Sequence, residues 1–310
     1  MLRYTIRRLV QGVITVWFIA TATFLAMHMV PGDPLSGEKA TSEQIRANLE
    51  AKYGLNQPIG TQYLIYLGNI AKGDLGISFT QKNREVNDII REHFPVSAAL
   101  GILAITFAAI GGILLGALTA LYRNKWPDAA IMLLVILGIS VPSFVFAAFS
   151  QLAIVKLNAL LGFSLLPVAG WGTVSHMIVP SLVLGLGTMA YLTRLMRSSM
   201  LEIVNADYVR TAHAKGLPPT RVFSRHQLRN AILPVVTVLG PAIAAITTGS
   251  FVIELVFAIP GLGRYFVQAV QQLDYTVIMG TTVFYGAFLV LMVIIVDLLY
   301  GFVDPRVRVD

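Results

Sequence analysis

Long apolar runs alternate with polar segments along the whole chain. Six stretches lack Asp, Glu, Lys and Arg and have 22 to 27 residues each: Leu9–Val30, Ala98–Tyr122, Ala129–Val155, Trp171–Thr193, Asn230–Ile253 and Tyr275–Val296. About 20 helical residues cross the roughly 30 Å hydrocarbon core of a bilayer. Because a lipid-exposed segment must satisfy its own backbone hydrogen bonds, each stretch is predicted to be a transmembrane helix.

The composition supports a membrane protein. Of the 310 residues, 56% are apolar and only 13% are charged, and the mean hydropathy is +0.73. A typical soluble domain carries about 25% charged residues, and disordered chains need low hydrophobicity. The chain has no cysteine, which excludes disulfides, thiolate metal sites and cysteine nucleophiles.

The basic residues predict the orientation. With the N-terminus in the cytoplasm, 14 of the 23 Lys and Arg residues fall in inner segments, namely 1–8, 123–128, 194–229 and 297–310. The net charge of +7 is then explained by basic residues held on the cytoplasmic side, without nucleic-acid binding. The first apolar run is longer than that of a signal peptide and no small-residue cleavage site follows it, so we interpret it as a retained helix.

Residues 31–97 form a long outer segment between the first two predicted spans. A capping box at Thr41 and Gln44 predicts a helix that ends near Gly54, a second helix is expected between Pro58 and Gly73, and a third over Glu85–His93. We therefore expect three parts: 1–30 with the first span, a folded outer segment 31–97, and a membrane core 98–310. The outer segment is interpreted as a docking surface for a partner protein, with a simple spacer as the alternative.

The inner segment 194–229 contains a short predicted helix. Asn205 is a suitable N-cap, and Gly216 followed by two prolines is a suitable C-terminal stop. A helix of about ten residues is marginal in water unless it packs on something. It is predicted either to lie on the membrane surface or to contact a cytoplasmic partner.

Known catalytic motifs are absent from the sequence. There is no Gly-Lys dipeptide and hence no Walker A loop, no His-Glu-x-x-His and no Gly-x-Ser-x-Gly. The five histidines show no metal-ligand spacing, so we expect no metal site and no catalytic residue. Glu254 and Asp297 fall near opposite membrane surfaces, which disfavours a membrane-embedded hydrolase, and the lack of titratable groups at the midplane disfavours a proton-driven carrier.

The fifth span carries many small residues. They permit close helix packing, and they can also line a pathway through the membrane; the two interpretations are compatible. The residues that we consider for such a pathway or its gate are Gly240, Thr247, Thr248, Ser250 and Glu254. Several spans are interrupted by helix-breaking residues, namely Gly138 and Pro142 in the third, Pro180 in the fourth, and Pro234 and Pro241 in the fifth. Bent spans without catalytic motifs are typical of a transporter or channel component.

The 194–229 segment resembles a known family. Its residues Asp207-Tyr208-Val209-Arg210-Thr211-Ala212-His213-Ala214-Lys215-Gly216-Leu217 resemble the cytoplasmic loop of ABC-transporter permeases, particularly those that import peptides. The general pattern of that loop is Glu-Ala-Ala six to four residues before a glycine. Ala212 and Gly216 match it, whereas Arg210 and Thr211 replace the first Glu and Ala, as in peptide-type permeases. Similar motifs are Pro31-Gly32-Asp33-Pro34, Tyr53-Gly54-Leu55, Arg229-Asn230-Ala231-Ile232-Leu233-Pro234 and Ile259-Pro260-Gly261-Leu262-Gly263.

The resemblance implies an all-α membrane protein with the six-helix permease fold of type I ABC importers, located in a bacterial cell membrane with both termini in the cytoplasm. It implies a second homologous permease, two ATPase subunits that hold ATP and Mg²⁺, and a substrate-binding protein outside. Peptides are the expected substrates, with nickel or glutathione as alternatives. The residues expected to couple the chain to the ATPase are Asp207, Tyr208, Arg210, Thr211, Ala212, Lys215, Gly216 and Leu217.

Overall fold

Helices account for most of the chain. A computed structural model describes residues 2–30, 54–81, 84–248 and 250–303. In chain order the helices are α1 (Leu2–Met29), α2 (Ile59–Ala71), α3 (Val86–Leu121), α4 (Trp126–Ser140), α5 (Ser143–Leu161), α6 (Val174–Val204), α7 (Asp207–Ala214), α8 (Pro219–Arg221), α9 (Arg229–Ala231), α10 (Leu233–Thr248), α11 (Phe251–Val256), α12 (Leu262–Gln271) and α13 (Tyr275–Val303), with a π-helical stretch at Val222–Leu228.

Among the described residues, six helical segments are long and apolar enough to cross a membrane. They are Thr5–Met29, Val86–Leu121, Ser143–Leu161, Val174–Val204, Leu233–Val256 and Tyr275–Val296. Within the described ranges, the only β-structure is one isolated antiparallel bridge between Ile77 and Glu85. The predicted all-α architecture with six membrane-length helices is confirmed.

The third predicted span, Ala129–Val155, is not one continuous helix. It is divided into α4 and α5 at Val141 and Pro142, where the backbone is extended (ψ 126° and 140°). Proline lacks the amide hydrogen that an α-helix needs, and it pushes the preceding residue out of the helical region. The helix on the C-terminal side of this break, α5, is the one long enough to cross the bilayer.

The predicted outer helix Glu85–His93 and the second span are one helix, which corrects our expectation of a break between them. Pro95 lies inside α3 without ending it. The neighbouring Phe94 ring makes edge-on contacts with Phe284 and Phe288 at centroid distances of 4.8 and 4.9 Å. This packing holds the helix together across the proline, a tolerance that is common where neighbouring helices surround the site.

The second predicted outer helix is confirmed as α2. It follows Pro58 and ends before Gly73, whose positive φ of 78° closes the turn. This helix packs on α1 near the C-terminal end of α1, where the Tyr63 hydroxyl lies 2.6 Å from the Thr21 hydroxyl. The helix predicted from the capping box at Thr41 lies outside the described residues.

The chain divides into two compact units. The first comprises residues 1–97 and 261–294, and the second comprises 98–260 and 295–310. The three-part division that we predicted from the sequence stays a prediction. The core of the first unit is formed by Met27, Val86, Ile89, Ile90, Leu262, Ala269, Tyr275, Val277 and Ile278.

A single buried carboxylate organises the first unit. Asp274 is 1% exposed and immediately precedes α13, where it accepts the Val277 amide hydrogen at 3.3 Å in the manner of an N-cap. The same carboxylate accepts hydrogen bonds from the segment after α2, namely from the Ser78 hydroxyl, the Phe79 and Thr80 amides and the Thr80 hydroxyl. Asp274 therefore fastens the outer segment to the start of the last membrane helix.

In the second unit, α6 packs closely on α3 through glycines. A Cβ atom at Gly112 would lie 2.6 Å from the Leu192 Cβ, and one at Gly116 would lie 2.5 Å from the Met196 Cβ. Real Cβ atoms do not approach this closely, so only glycine allows the two helices to lie at this distance. Small residues at helix contacts are how membrane helices reach close van der Waals packing.

We predict that Asp274→Ala destabilises the first unit. The substitution leaves the buried Ser78 hydroxyl and the Phe79 and Thr80 amides without the acceptor that Asp274 provides, a loss of about 1–3 kcal/mol. The purified protein in detergent should show a lower Tm. Asp207→Ala is the control, because the Asp207 side chain is 97% exposed. Equal Tm values for the two variants would contradict the role of Asp274.

Candidate functional site

The short helix α7 ends in a complete Schellman motif. Gly216 has a φ of 73°, its amide donates to the His213 carbonyl at 2.9 Å, and the Leu217 amide donates to the Ala212 carbonyl at 3.3 Å. This pair of hydrogen bonds satisfies carbonyls that would otherwise be unpaired at the helix end. The left-handed glycine that the sequence predicted at this point is confirmed.

The start of α7 differs from our prediction. Asn205 is not its N-cap; that position is occupied by Ala206, and no side chain caps the helix. The Asn205 amide group instead donates to the Leu201 carbonyl at 3.2 Å, at the end of α6. An asparagine can bond backward to a preceding helix as readily as forward to a following one, and here it closes α6. Asp207 then places a negative charge in the first turn of α7, which the helix dipole favours.

One face of α7 is anchored to its own chain. Val209 and Ala212 are buried and pack with Val222 of the π-helical stretch. Ile203 and Leu217 lie at the edge of this cluster. The packing explains why so short a helix is formed, since isolated helices of this length are unstable in water.

The opposite face of α7 is exposed and polar. Six of the eight residues predicted to couple the chain to a partner are exposed: Asp207, Tyr208, Arg210, Thr211, Lys215 and Gly216. The other two, Ala212 and Leu217, are buried and half-buried and belong to the anchoring side. An ion pair of 3.6 Å links Arg210 to Asp207. Exposed pairs of this kind contribute at most about 1 kcal/mol, so both side chains are available to a partner at little cost.

The segment that supports α7 contains a seven-residue π-helix, Val222–Leu228. Asn230 follows it, and its amide group donates to the His226 carbonyl at 2.9 Å and to the Tyr208 hydroxyl at 3.2 Å. Tyr208 is thereby held in place on the exposed side of α7. π-Helical stretches often occur at functional sites. We did not predict this one from the sequence, because its apolar pattern is not distinct from that of an α-helix.

An ion pair between a buried carboxylate and a half-buried arginine was also missed by the sequence analysis. Arg197 of α6 donates to both carboxylate oxygens of Asp128 at the start of α4, at 2.9 and 2.8 Å. The Asp128 carboxylate also accepts the Asn124 amide hydrogen at 3.1 Å. The guanidinium of Arg197, with a smaller effect of the Asn124 amide, holds the pKa of Asp128 below its ordinary value. The available sequence signal was a lone acidic residue in a basic inner loop, directly before a charge-free span.

The residues considered for a pathway are packed inside the second unit. A Cβ atom at Gly240 would lie 2.6 Å from the Val296 Cβ. Thr247 is 1% exposed, and its side chain packs against Gly101. These two positions are helix contacts, which is one of the two interpretations of the small residues. Thr248 is the last residue of α10, and its side chain lies outside the part that the structure describes. The pathway assignment stays a prediction.

Ser250 and Glu254 form a buried polar pair at the junction of α10 and α11. The Ser250 hydroxyl donates to Glu254 Oε1 at 2.5 Å, and Glu254 is 0% exposed. The Glu254 carbonyl accepts the Ile259 amide hydrogen at 2.8 Å, which closes α11. These contacts give the pair a role in shaping this helix end. Across the described ranges, no group of three or more His, Cys, Asp or Glu residues is placed to hold a metal ion.

Comparison with known proteins decides the family. The family of the "binding-protein-dependent transport system inner membrane component" matches residues 112–309. The family that covers the N-terminal part of such membrane components matches residues 1–101. The chain belongs to this permease family. The matched core includes α6, α7 and the π-helical stretch, so the exposed face of α7 lies within the defining part of the family.

Relatives match the permease along its whole length. It is 46% identical to the dipeptide transport system permease protein DppB of Bacillus subtilis over 99% of this chain and 98% of that protein. It is 42% identical to the oligopeptide transport system permease protein OppB of Haemophilus influenzae and 41% identical to that of Escherichia coli, each over 99% of this chain and 100% of the relative.

Solved ABC transporters share the fold of the permease. An amino acid ABC transporter crystallised with histidines matches with a TM-score of 0.51 and 15% identity, over 71% of this chain and 94% of that chain. The inward-facing MetNI methionine ABC transporter matches with a TM-score of 0.52 and 17% identity, over 69% and 94%. The type I importer fold expected from the sequence is confirmed, and the chain is a multi-pass membrane protein.

We predict that Gly216→Val abolishes transport without preventing membrane insertion. A Cβ atom there meets nothing within 4 Å, so the effect comes from the positive φ alone. A side chain in this conformation costs about 1–2 kcal/mol and distorts the end of α7. Uptake should be lost, whereas Gly216→Asn should retain it because Asn tolerates this conformation. Normal uptake by a well-expressed Gly216→Val permease would contradict the prediction.

Proposed function

We propose that this permease is a membrane subunit of an ATP-driven peptide importer and that α7 is its docking element for a partner ATPase. The observation that carries the proposal is the division of α7 into two faces. Val209 and Ala212 fix the helix to its own chain, whereas the polar residues of the resembling segment face outward.

The distribution of polarity favours a protein partner over the membrane surface. A helix that lies in the membrane interface turns an apolar face toward the lipid. In α7 the apolar residues Val209 and Ala212 face their own chain, and the exposed face carries Asp207 together with Arg210 and Lys215. A face of mixed charge suits a polar groove of a soluble subunit better than the hydrocarbon boundary.

The proposed mechanism is alternating access. ATP and Mg²⁺ are held by two partner ATPase subunits, whose closure on ATP binding displaces α7. Because α7 follows α6 after only two residues, its displacement passes directly to a membrane helix. This permease and a second homologous permease form the pathway, and a binding protein delivers substrate from outside. Both termini lie in the cytoplasm, as the distribution of basic residues supports.

Peptides are the substrates that we propose. The relatives that match over their full length are named as dipeptide and oligopeptide permeases. Nickel or glutathione is the alternative from the sequence analysis.

We predict gene-dependent uptake of labelled peptides. Cells with and without this gene are compared for uptake of di-, tri- and pentapeptides, with labelled glutathione and nickel measured alongside. The longest peptide carried distinguishes a dipeptide from an oligopeptide importer. Gene-dependent nickel or glutathione uptake with no peptide uptake would contradict the substrate while leaving the family intact.

We also predict that Asp207→Arg prevents the ATPase subunits from copurifying with the permease. The substitution reverses a charge on the exposed face of α7 and opposes the helix dipole. Asp88→Arg is the matched control, because Asp88 is an exposed Asp in the first turn of another helix, α3. Copurification that survives Asp207→Arg as well as it survives Asp88→Arg would contradict docking at this face.

A further inference from the structure

The buried Asp128 carboxylate connects three elements of the second unit. Its acceptance of the Asn124 amide closes the turn between α3 and α4, where Asn124 has a φ of 61°. Its two hydrogen bonds from Arg197 fix it to α6. Asp128 is only 5% exposed. One side chain thus joins the end of α3, the start of α4 and the last third of α6.

Stability alone is a weak reason for such a pair. Removing two charges from water costs free energy that their attraction only partly returns, and well-packed apolar residues often serve equally well. What a bidentate Arg–carboxylate pair adds is geometry, because two parallel hydrogen bonds fix both the distance and the angle between their helices. The pair is therefore better suited to setting the register of α4 on α6.

A second contact holds the same two helices. A Cβ atom at Gly138 of α4 would lie 3.2 Å from the Ala190 Cβ of α6. This contact is ten residues from Asp128 along α4 and seven residues from Arg197 along α6. Two helices that touch at separated points, one of them directional, cannot slide or rotate past each other without breaking a contact.

The pair also lies close to α7. Arg197 lies seven residues, or about 10 Å of helix, before the end of α6 at Val204, and α7 begins after the next two residues. A displacement of α7 that passes along the chain into α6 therefore meets the attachment to α4 within the last turns of α6.

We propose that Asp128 and Arg197 are positioning residues that hold α4 and α6 in one register, so that displacement of α7 moves both helices together. The inference rests on the proposed function of α7 as the ATPase-docking element. It assigns a role in energy coupling to two residues that contact neither substrate nor nucleotide.

The first test measures peptide uptake per ATP hydrolysed in proteoliposomes that contain the complete transporter. Asp128→Asn and Arg197→Gln should each lower this ratio by at least about fivefold, the lower range of coupling free energies between sites. The double variant should lower the uptake-to-ATP ratio no further than the more impaired of the two single variants does, because each substitution removes the same ion pair. Arg194→Gln is the control, since Arg194 is an exposed arginine one turn earlier on α6. It should leave the ratio unchanged.

The ATPase subunits should still copurify with both single variants. An unchanged uptake-to-ATP ratio in a fully assembled variant would overturn the inference. A double variant whose fold-decrease in this ratio equals the product of the two single fold-decreases would also overturn the inference. The Asp207→Arg variant tests the proposed function separately, because it measures copurification of the ATPase subunits and does not depend on the uptake-to-ATP ratio. A failure of the proposed function is thereby distinguished from a failure of this inference.

The second test does not depend on weakening the fold. The chain has no cysteine, so Gly138→Cys with Ala190→Cys introduces one unique pair. The Cβ separation at these positions is 3.2 Å, a few tenths of an ångström below the roughly 3.5–4.5 Å of disulfides, so a small outward shift of the helices accommodates the bond. If α4 and α6 move together, the oxidised and reduced proteins should import peptide at the same rate. Uptake that stops on oxidation and returns on reduction would show that the helices move past each other, and would overturn the inference.

Discussion

Within a bilayer, apolar burial does not draw helices together, because lipid tails are as apolar as the side chains themselves. Helices must instead approach closely enough for van der Waals contact, and α6 does so on α3 at Gly112 and Gly116. A core of Leu192, Met196 and Met200 continues this contact toward the C-terminal end of α6. The position of α7 depends on it, since α7 is attached to that end.

The segment from α7 to Asn230 is built so that a short helix presents a polar surface from a fixed position. α7 receives its support from Val222 on one side and from its covalent connection to α6 on the other. The π-helical stretch and Asn230 add a hydrogen bond to Tyr208. The docking role that we propose for α7 requires such support, because a partner that pushes on a loosely held helix would deform it instead of moving the membrane helices. In the proposed mechanism the partner ATPase subunits supply the energy for transport, and the permease transmits their motion to its membrane helices.

The sequence predicted the helical spans well because lipid leaves few alternatives: charge-free runs of the right length become helices. The left-handed Gly216 was also predictable, since glycine followed by prolines permits little else. The break at Pro142 followed from local chemistry, but the continuity of α3 through Pro95 did not, because it depends on packing by Phe284 and Phe288. The partners of Asp274 and of Asp128 are distant in sequence, so no local pattern could reveal them. The two faces of α7 likewise required knowing that the segment after Gly216 folds back against it.

Hydrogen exchange of the permease, measured with and without its ATPase subunits, tests the central claim most directly. Docking at the exposed face of α7 predicts slower exchange of the amides in 207–217 when the ATPase subunits are bound, and unchanged exchange in α2. Bound ATPase subunits that leave the exchange of 207–217 unchanged, and protect another segment instead, would contradict the account.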